Sequence, residues 1–130
     1  MLAGEKTAGV FETGDHGSTF GGNPIAAAAG LVVLETVNTP AFLAEITRKG
    51  EKIAAAIKAW NLPAVQEVRS RGLMLGIDID RDSWPVLESA VARGLLLLSA
   101  GQKTLRLLPP YTITDSEIDR GLEIMRQLLA

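Results

Sequence analysis

The chain has 130 residues, of which 47% are hydrophobic and 22% are charged, with a formal net charge of −2 and no cysteine. This length predicts one domain with a core of its own. The small and scattered charge excludes a nucleic-acid surface, and the lack of cysteine excludes disulfides and thiolate chemistry. No apolar run reaches membrane-spanning length. We therefore expect a cytoplasmic protein, part of whose apolar surface is meant for another domain or subunit.

A glycine-rich run precedes the first predicted helix. Residues 15–30 read DHGSTFGGNPIAAAAG, and the hydroxyls of Ser18 and Thr19 stand just ahead of an Asn23–Pro24 helix start. Asparagine is a good N-cap, and proline suits the first turn because its missing N–H would have no partner there. Glycines and hydroxyls before a helix are also what an anion site requires. The residues alone favour a plain capped turn and leave anion binding as the alternative.

Two helices are predicted next. Residues 24–37 are apolar almost all round until Glu35, which predicts burial on several sides. A second helix begins at Thr39–Pro40 and carries one apolar stripe, while its charged residues, Lys49 among them, are assigned to solvent.

The second half of the chain alternates short strands with helices. Strands are predicted at residues 65–69, 73–80, 95–98 and 104–108, the third of them fully buried. The short helix between them should bury Trp84, Leu87 and Val91, and the last helix should begin at a capping box formed by Thr114 and Glu117. The order α-α-β-β-α-β-β-α predicts an α+β fold, a small and mainly antiparallel sheet with helices packed on one face.

Arg106 lies in the middle of a leucine-rich strand, on the face opposite Leu105 and Leu107. Such an arginine either marks an exposed edge or holds a carboxylate with its guanidinium fork. Without further information the edge is favoured, because exposed charges on strand edges are ordinary.

The acidic residues and the single histidine do not predict a metal or a catalytic site. Asp78, Asp80 and Asp82 are interpreted as a polar sheet edge, since no loop supplies further oxygen ligands. His16 has no other nitrogen or sulfur ligand near it, and its local spacing does not suit a catalytic triad.

Three motifs in this order resemble the C-terminal part of the class III pyridoxal-phosphate aminotransferases, most closely their acetylornithine branch: HGSTFGGNPIAAAAG, RGLMLGIDI and TLRLLPPYTIT followed by a helix. The resemblance covers essentially the whole chain. It implies that Thr19, with Ser18 beside it, holds the phosphate of pyridoxal phosphate in the neighbouring subunit of a homodimer. It also implies that Arg106 grips the α-carboxylate of the substrate, which reverses the preference for an edge residue.

The resemblance further implies that this chain is a C-terminal piece. Residues 1–22 would be a remnant of the large cofactor domain, and residues 23–130 the small domain of fold type I enzymes with its leading helix. The family lysine that binds the cofactor lies upstream, so we expect no catalytic residue and no activity in this segment alone. Its small-molecule substrates would be amino and oxo acids, with N-acetylornithine and 2-oxoglutarate expected. Ornithine, succinylornithine and 4-aminobutyrate aminotransferases are alternatives, as is a non-catalytic binding module.

Overall fold

The computed structural model describes residues 4–15 and 17–130. The order of elements agrees with the prediction, and the contacts divide the chain into a first unit that ends at Asn38 and a second unit, Thr39–Ala130. The first helix therefore groups with the N-terminal segment, while the assignment of residues 1–22 to a larger domain stays a prediction. The elements are α1 (Pro24–Val37), α2 (Pro40–Ala59), β1 (Val65–Arg71), β2 (Met74–Ile79), α3 (Trp84–Ala92), β3 (Leu98–Ser99), β4 (Thr104–Leu107) and α4 (Asp115–Leu129).

Helix α1 begins where the sequence predicts and exposes the side chains that were expected to be buried. The Asn23 side chain accepts hydrogen bonds from the backbone N–H groups of Ile25 and Ala26, at 2.9 and 3.3 Å. No residue of the helix is buried, and Ile25 is 80% exposed. The prediction of burial is wrong for this chain because the described part of the first unit contains no second helix or strand to cover an apolar cylinder.

Helix α2 supplies one wall of the core of the second unit. Its N-cap is Thr39, whose side chain accepts the Phe42 N–H at 3.3 Å, and it buries Ile53 and Ile57 as predicted. Lys49 is buried, contrary to its predicted position in solvent, and its ammonium donates to the Tyr111 carbonyl at 3.3 Å. A lysine can lie there because its aliphatic stem packs while its charged end keeps an oxygen partner.

The sheet has the strand order β1-β2-β4-β3, and every neighbouring pair is antiparallel. The alternation predicted for residues 73–80 is confirmed, because Leu75, Ile77 and Ile79 of β2 are buried on the side of the helices. Leu105 of β4 pairs with Ile77 and joins the same core. The α+β fold expected from the element order is therefore confirmed.

The buried face of α3 differs in part from the predicted one: Leu87 packs against the core as expected, but Trp84 and Val91 do not. Val86 and Ala90 are buried, whereas Trp84 is 62% exposed and Val91 is also exposed. The Trp84 indole N–H donates to Glu88 on the outer side at 3.1 Å. Because α3 packs against α4 and β3, the small Ala90 suits the contact side and the bulky indole is left outside.

Strand β3 is shorter and more exposed than predicted. It has two residues, and it pairs with β4 alone, so it forms one edge of the sheet. Leu97 is buried, but Leu96 is 83% exposed and Leu98 is half-exposed. The prediction of a fully buried strand is wrong because a run of four leucines does not reveal that one side of the strand has no neighbour.

Helix α4 follows the prediction closely. Thr114 accepts the Glu117 N–H at 3.3 Å, and the Glu117 carboxylate accepts the Thr114 N–H at 2.8 Å, which completes the capping box. The stripe expected from helical spacing is buried: Ile118, Leu122, Met125 and Leu129.

No single helix of the part that the structure describes is long and apolar enough to cross a membrane. Helices α1 and α2 together have the length and apolar composition of a broken span. This is weak evidence, because core helices of other proteins have the same length and composition.

Candidate functional site

The turn before α1 presents two hydroxyl groups. Ser18 and Thr19 are exposed, and neither side chain has a hydrogen-bond partner among the described residues. The turn is closed by backbone hydrogen bonds from Gly21 to the Ser18 carbonyl and from Asn23 to the Phe20 carbonyl, both 3.3 Å long. Both hydroxyls are therefore available as donors to a ligand.

These residues suit the phosphate group of pyridoxal phosphate, with one difference from the prediction. Asn23 already occupies the N–H groups of Ile25 and Ala26, so those first-turn donors of α1 are used within the chain. An anion would be held by the Ser18 and Thr19 hydroxyls and not by these N–H groups. Hydroxyl donors are suited to phosphate oxygens, which accept strong hydrogen bonds.

The second candidate lies on the sheet face opposite the helices, which we call the open face. In the strand register Gly76 pairs with Arg69 on one side and with Arg106 on the other, so the two arginines flank a glycine. Arg106 is exposed and pairs on its far side with Leu98 of the edge strand. No described residue forms a hydrogen bond or ion pair with its guanidinium.

Arg69, in contrast, is fully engaged. Its guanidinium donates to both oxygens of Asp78 at 2.6 and 2.8 Å and to Glu67 at 2.6 Å. The Thr104 hydroxyl donates to the same Asp78 carboxylate at 2.6 Å. The hydrogen bonds from Arg69 and then Thr104 lower the pKa of Asp78 to about 2, and the Asp78 carboxylate raises the pKa of Arg69. Both groups are therefore charged at neutral pH.

An apolar cavity of about 470 Å³ lies between the sheet edge and α4, and Arg106 belongs to its lining. Most of the other lining residues are leucines and prolines of residues 95–98 and 107–110. The second charged lining residue is Glu117, whose carboxylate already serves the capping box.

The three acidic residues within and just after β2 have separate roles. Asp78 binds Arg69, Asp80 pairs with Arg81 at 2.8 Å, and Asp82 accepts the backbone N–H of Trp84 at 2.8 Å. Within residues 4–15 and 17–130, no group of three or more potential ligands is placed to hold a metal ion. His16 lies outside the described residues.

The structure thus places Ser18 and Thr19 on one turn in the first unit, and Arg106 on the open face in the second unit. The sequence interpretation did not identify Arg69, Asp78 and Thr104 as neighbours of Arg106. Alternation along β2 puts Asp78 on the open face, but only the strand order brings β1 and β4 to its two sides.

The family model for "Aminotransferase class-III" matches residues 1–129 of this chain. Among curated relatives, the acetylornithine aminotransferase of Synechocystis sp. is 41% identical over 97% of this chain and 31% of its own length. That of Caldanaerobacter subterraneus subsp. tengcongensis is 36% identical over 99% of this chain and 34% of its own length. The chain therefore spans about a third of the length of the curated relatives it matches.

Solved structures give the same picture. N-acetylornithine aminotransferase from Stenotrophomonas maltophilia is similar with a TM-score of 0.75 and 34% identity, over 82% of this chain and 31% of that one. Ornithine delta-aminotransferase from Plasmodium falciparum is similar with a TM-score of 0.81 and 30% identity, over 98% of this chain and 35% of that one. Both likenesses extend over most of the fold described above.

Proposed function

Because the chain belongs to the class III aminotransferase family, we propose that it forms the C-terminal third of an enzyme that transfers an amino group between N-acetylornithine and 2-oxoglutarate. The observation that carries the proposal is Arg106, a guanidinium without a partner among the described residues, on an open sheet face where Arg69 is neutralised. The choice of donor is supported by the names of curated relatives.

Arg106 would bind the α-carboxylate of the amino donor. Its planar fork can give two parallel hydrogen bonds to a carboxylate, which holds the substrate in one orientation as well as attracting its charge. Orientation matters because reacting groups held in a fixed mutual geometry react far faster than freely diffusing ones. The neighbouring Gly76 adds no side chain to the space beside Arg106.

Thr19 and Ser18 would bind the phosphate of pyridoxal phosphate. When bound, that cofactor supplies the electron sink for amino transfer, and the protein supplies orientation and charge. We propose, as the resemblance implies, that these hydroxyls serve the active site of the neighbouring subunit in a cytoplasmic homodimer. Their exposure in the first unit is compatible with a ligand outside this chain.

The segment alone would be inactive. Catalysis of this type uses a lysine whose amine is activated by its surroundings and which also carries protons. Lys49 donates to the Tyr111 carbonyl and Lys52 pairs with Asp115 and Asp119. The remaining lysines are exposed: Lys6, Lys58 and Lys103. None of these lysines is a buried amine without a partner.

The test of the proposed reaction uses the intact enzyme that carries this segment, purified with pyridoxal phosphate. Glutamate formation from 2-oxoglutarate is measured with N-acetylornithine, ornithine, N-succinylornithine and 4-aminobutyrate as donors. We expect N-acetylornithine to give the highest kcat/KM. Ornithine is the second candidate, favoured by the TM-score of 0.81 with an ornithine aminotransferase, and a higher value with ornithine would overturn the choice of donor.

Two observations would distinguish the proposed enzyme from a non-catalytic module of the same fold. An in-frame upstream coding sequence for a lysine-bearing large domain supports the enzyme, and its absence supports the module. The purified 130-residue chain, mixed with pyridoxal phosphate, N-acetylornithine and 2-oxoglutarate, should form no glutamate. Glutamate formation by the segment alone would contradict its proposed dependence on the rest of the enzyme.

A further inference from the structure

Arg69 and Asp78 lie on the same sheet face as Arg106, the proposed substrate arginine. We propose that Arg69 is a positioning residue: it holds the Asp78 carboxylate in a bidentate ion pair, and thereby keeps Arg106 free for the carboxylate of the substrate. This inference rests on the proposed role of Arg106. Its first test, however, concerns only the side chains of this chain and does not depend on that role.

The strand register makes Asp78 a possible partner for either arginine. Gly76 pairs with Arg69 on β1 and with Arg106 on β4, and Asp78 follows Gly76 by two residues on the same strand face. Asp78 is therefore the diagonal neighbour of both arginines. Diagonal positions on one sheet face are about 7–8 Å apart, which long side chains can bridge. The backbone alone does not decide which guanidinium the carboxylate binds.

In the structure the Asp78 carboxylate binds Arg69 and not Arg106. Its two Nη atoms donate to Oδ2 and Oδ1 of Asp78 at 2.6 and 2.8 Å, and the Thr104 hydroxyl donates to Oδ1 at 2.6 Å. Such a bidentate pair fixes the carboxylate in one orientation. Glu67 accepts from Arg69 at 2.6 Å and helps to hold the guanidinium on this side.

Gly76 provides the path for this contact. A Cβ atom added at Gly76 would lie 3.6 Å from Nη2 of Arg69, so the guanidinium extends over the glycine towards Asp78. Arg106, which pairs with Gly76 from the other strand, has no acidic partner among the described residues.

The consequence concerns substrate affinity. A carboxylate tethered next to Arg106 would compete with a dissolved substrate at a high effective concentration. Such a competitor acts before catalysis begins, so it should raise KM and leave kcat little changed. Exposed ion pairs are weak, which limits the expected increase to about two- to fivefold.

The first experiment observes Arg106 in the 130-residue chain by the NMR signal of its side-chain Nε–Hε group, assigned from the loss of that signal in Arg106→Lys. Asp78→Asn should leave this signal in place in the otherwise unchanged chain. In the Arg69→Met variant we expect the Asp78 carboxylate to turn to Arg106. Adding Asp78→Asn to that variant should therefore shift the Arg106 signal. Arg71→Met is the matched control, since Arg71 lies on the same strand face as Arg69 without a bond to Asp78.

Two results would overturn the proposal. If Asp78→Asn moves the Arg106 signal equally with and without Arg69, Asp78 is already shared between the arginines. If it moves the signal in neither background, Asp78 does not approach Arg106 and needs no restraint. Amide spectra of the variants must retain the pattern of the folded chain, and Arg69→Gln provides a second variant should Arg69→Met fail to fold.

The second experiment uses the intact enzyme. Arg69→Met should raise KM for the amino donor about two- to fivefold, and the added Asp78→Asn should restore it. A merely structural role of Arg69 predicts no such rescue, so a double variant that is no better than Arg69→Met overturns the proposal. If Arg106→Lys leaves KM and kcat/KM unchanged, the proposed function fails, while the NMR result still decides whether Arg69 restrains Asp78.

Discussion

Gly50 of α2 lies directly against the backbone of Gly72 in the β1–β2 turn: a Cβ atom added at Gly50 would stand 2.0 Å from the Gly72 carbonyl oxygen. Gly72 itself adopts a φ of +55°, a conformation that side chains other than glycine rarely take. The helix and the hairpin can therefore meet at this point only because both positions lack a side chain.

We predict that Gly50→Ala destabilises the chain even though alanine is the better helix former. The gain in helix propensity is about 1 kcal/mol, whereas the clash is with backbone and requires the helix to shift, at a cost of about 1–3 kcal/mol or more. Urea unfolding of the 130-residue chain measures the difference. Gly121→Ala is the control, because its Cβ would meet only the Leu95 side chain at an ordinary 3.6 Å. An unchanged midpoint for Gly50→Ala would refute the close contact.

Thr114→Ala should weaken the start of α4. Thr114 accepts the Glu117 N–H and donates to the Glu117 carboxylate, so its removal leaves a first-turn donor without a partner. Loss of such a cap typically costs about 1 kcal/mol. The same urea titration measures it, with Thr47→Ala as a control whose hydroxyl donates to a carbonyl within α2. Equal losses in the two variants would mean that the capping box has no special effect.

The pH dependence of stability should contain a contribution from Asp115, which ties α4 to α2. Hydrogen bonds from Arg48 first and then Lys52 lower the pKa of Asp115 to about 2, below its ordinary 3.8. A carboxyl with a depressed pKa in the folded state stabilises that state above the unfolded pKa, and this contribution disappears as the pH falls from about 5 to about 2.

Asp115→Asn should therefore lower stability at neutral pH and flatten its decline between pH 5 and pH 2. Added salt should also reduce the difference between the two proteins, because these groups are half-exposed and screened. Glu51→Gln serves as the control, since Glu51 forms no ion pair within the described residues. A decline of the same steepness in the Asp115→Asn protein would contradict the role of this ion pair.

Arg106→Lys in the intact enzyme should reduce kcat/KM by on the order of a hundredfold, because lysine keeps the charge but loses the two-pronged fork. Steady-state kinetics with N-acetylornithine measures the effect. Arg81→Lys is the matched control, as Arg81 pairs with the exposed Asp80 next to it in the chain. Wild-type turnover by Arg106→Lys would make Arg106 an ordinary surface residue.

Thr19→Ala in the intact enzyme should weaken pyridoxal-phosphate binding by roughly 1.5–3 kcal/mol, the usual worth of a hydrogen bond to a charged group. Cofactor titration of the apo-enzyme measures the affinity. Thr7→Ala is a control, since the Thr7 hydroxyl already donates to the Gly4 carbonyl. Unchanged affinity in Thr19→Ala would remove Thr19 from the phosphate site.

Features formed by residues close together in the sequence were predictable from the sequence. The Asn23–Pro24 start of α1 and the Thr114–Glu117 capping box form within four residues, so the same side chains meet their backbone partners in almost any fold. The alternation along β2 likewise assigns each residue to one of two faces, and the core side must be the one with Leu75, Ile77 and Ile79.

Only the tertiary structure decided which elements meet. Periodicity could not show that α3 approaches its neighbours through Ala90, nor that β3 is an edge strand with one partner. It also could not show that β2 lies between β1 and β4, which places Asp78 within reach of two arginines. Of these two, Arg69 is the one that binds the Asp78 carboxylate. The residues that surround Arg106 come from all four strands, and their proximity arises from strand order, a property that no local pattern encodes.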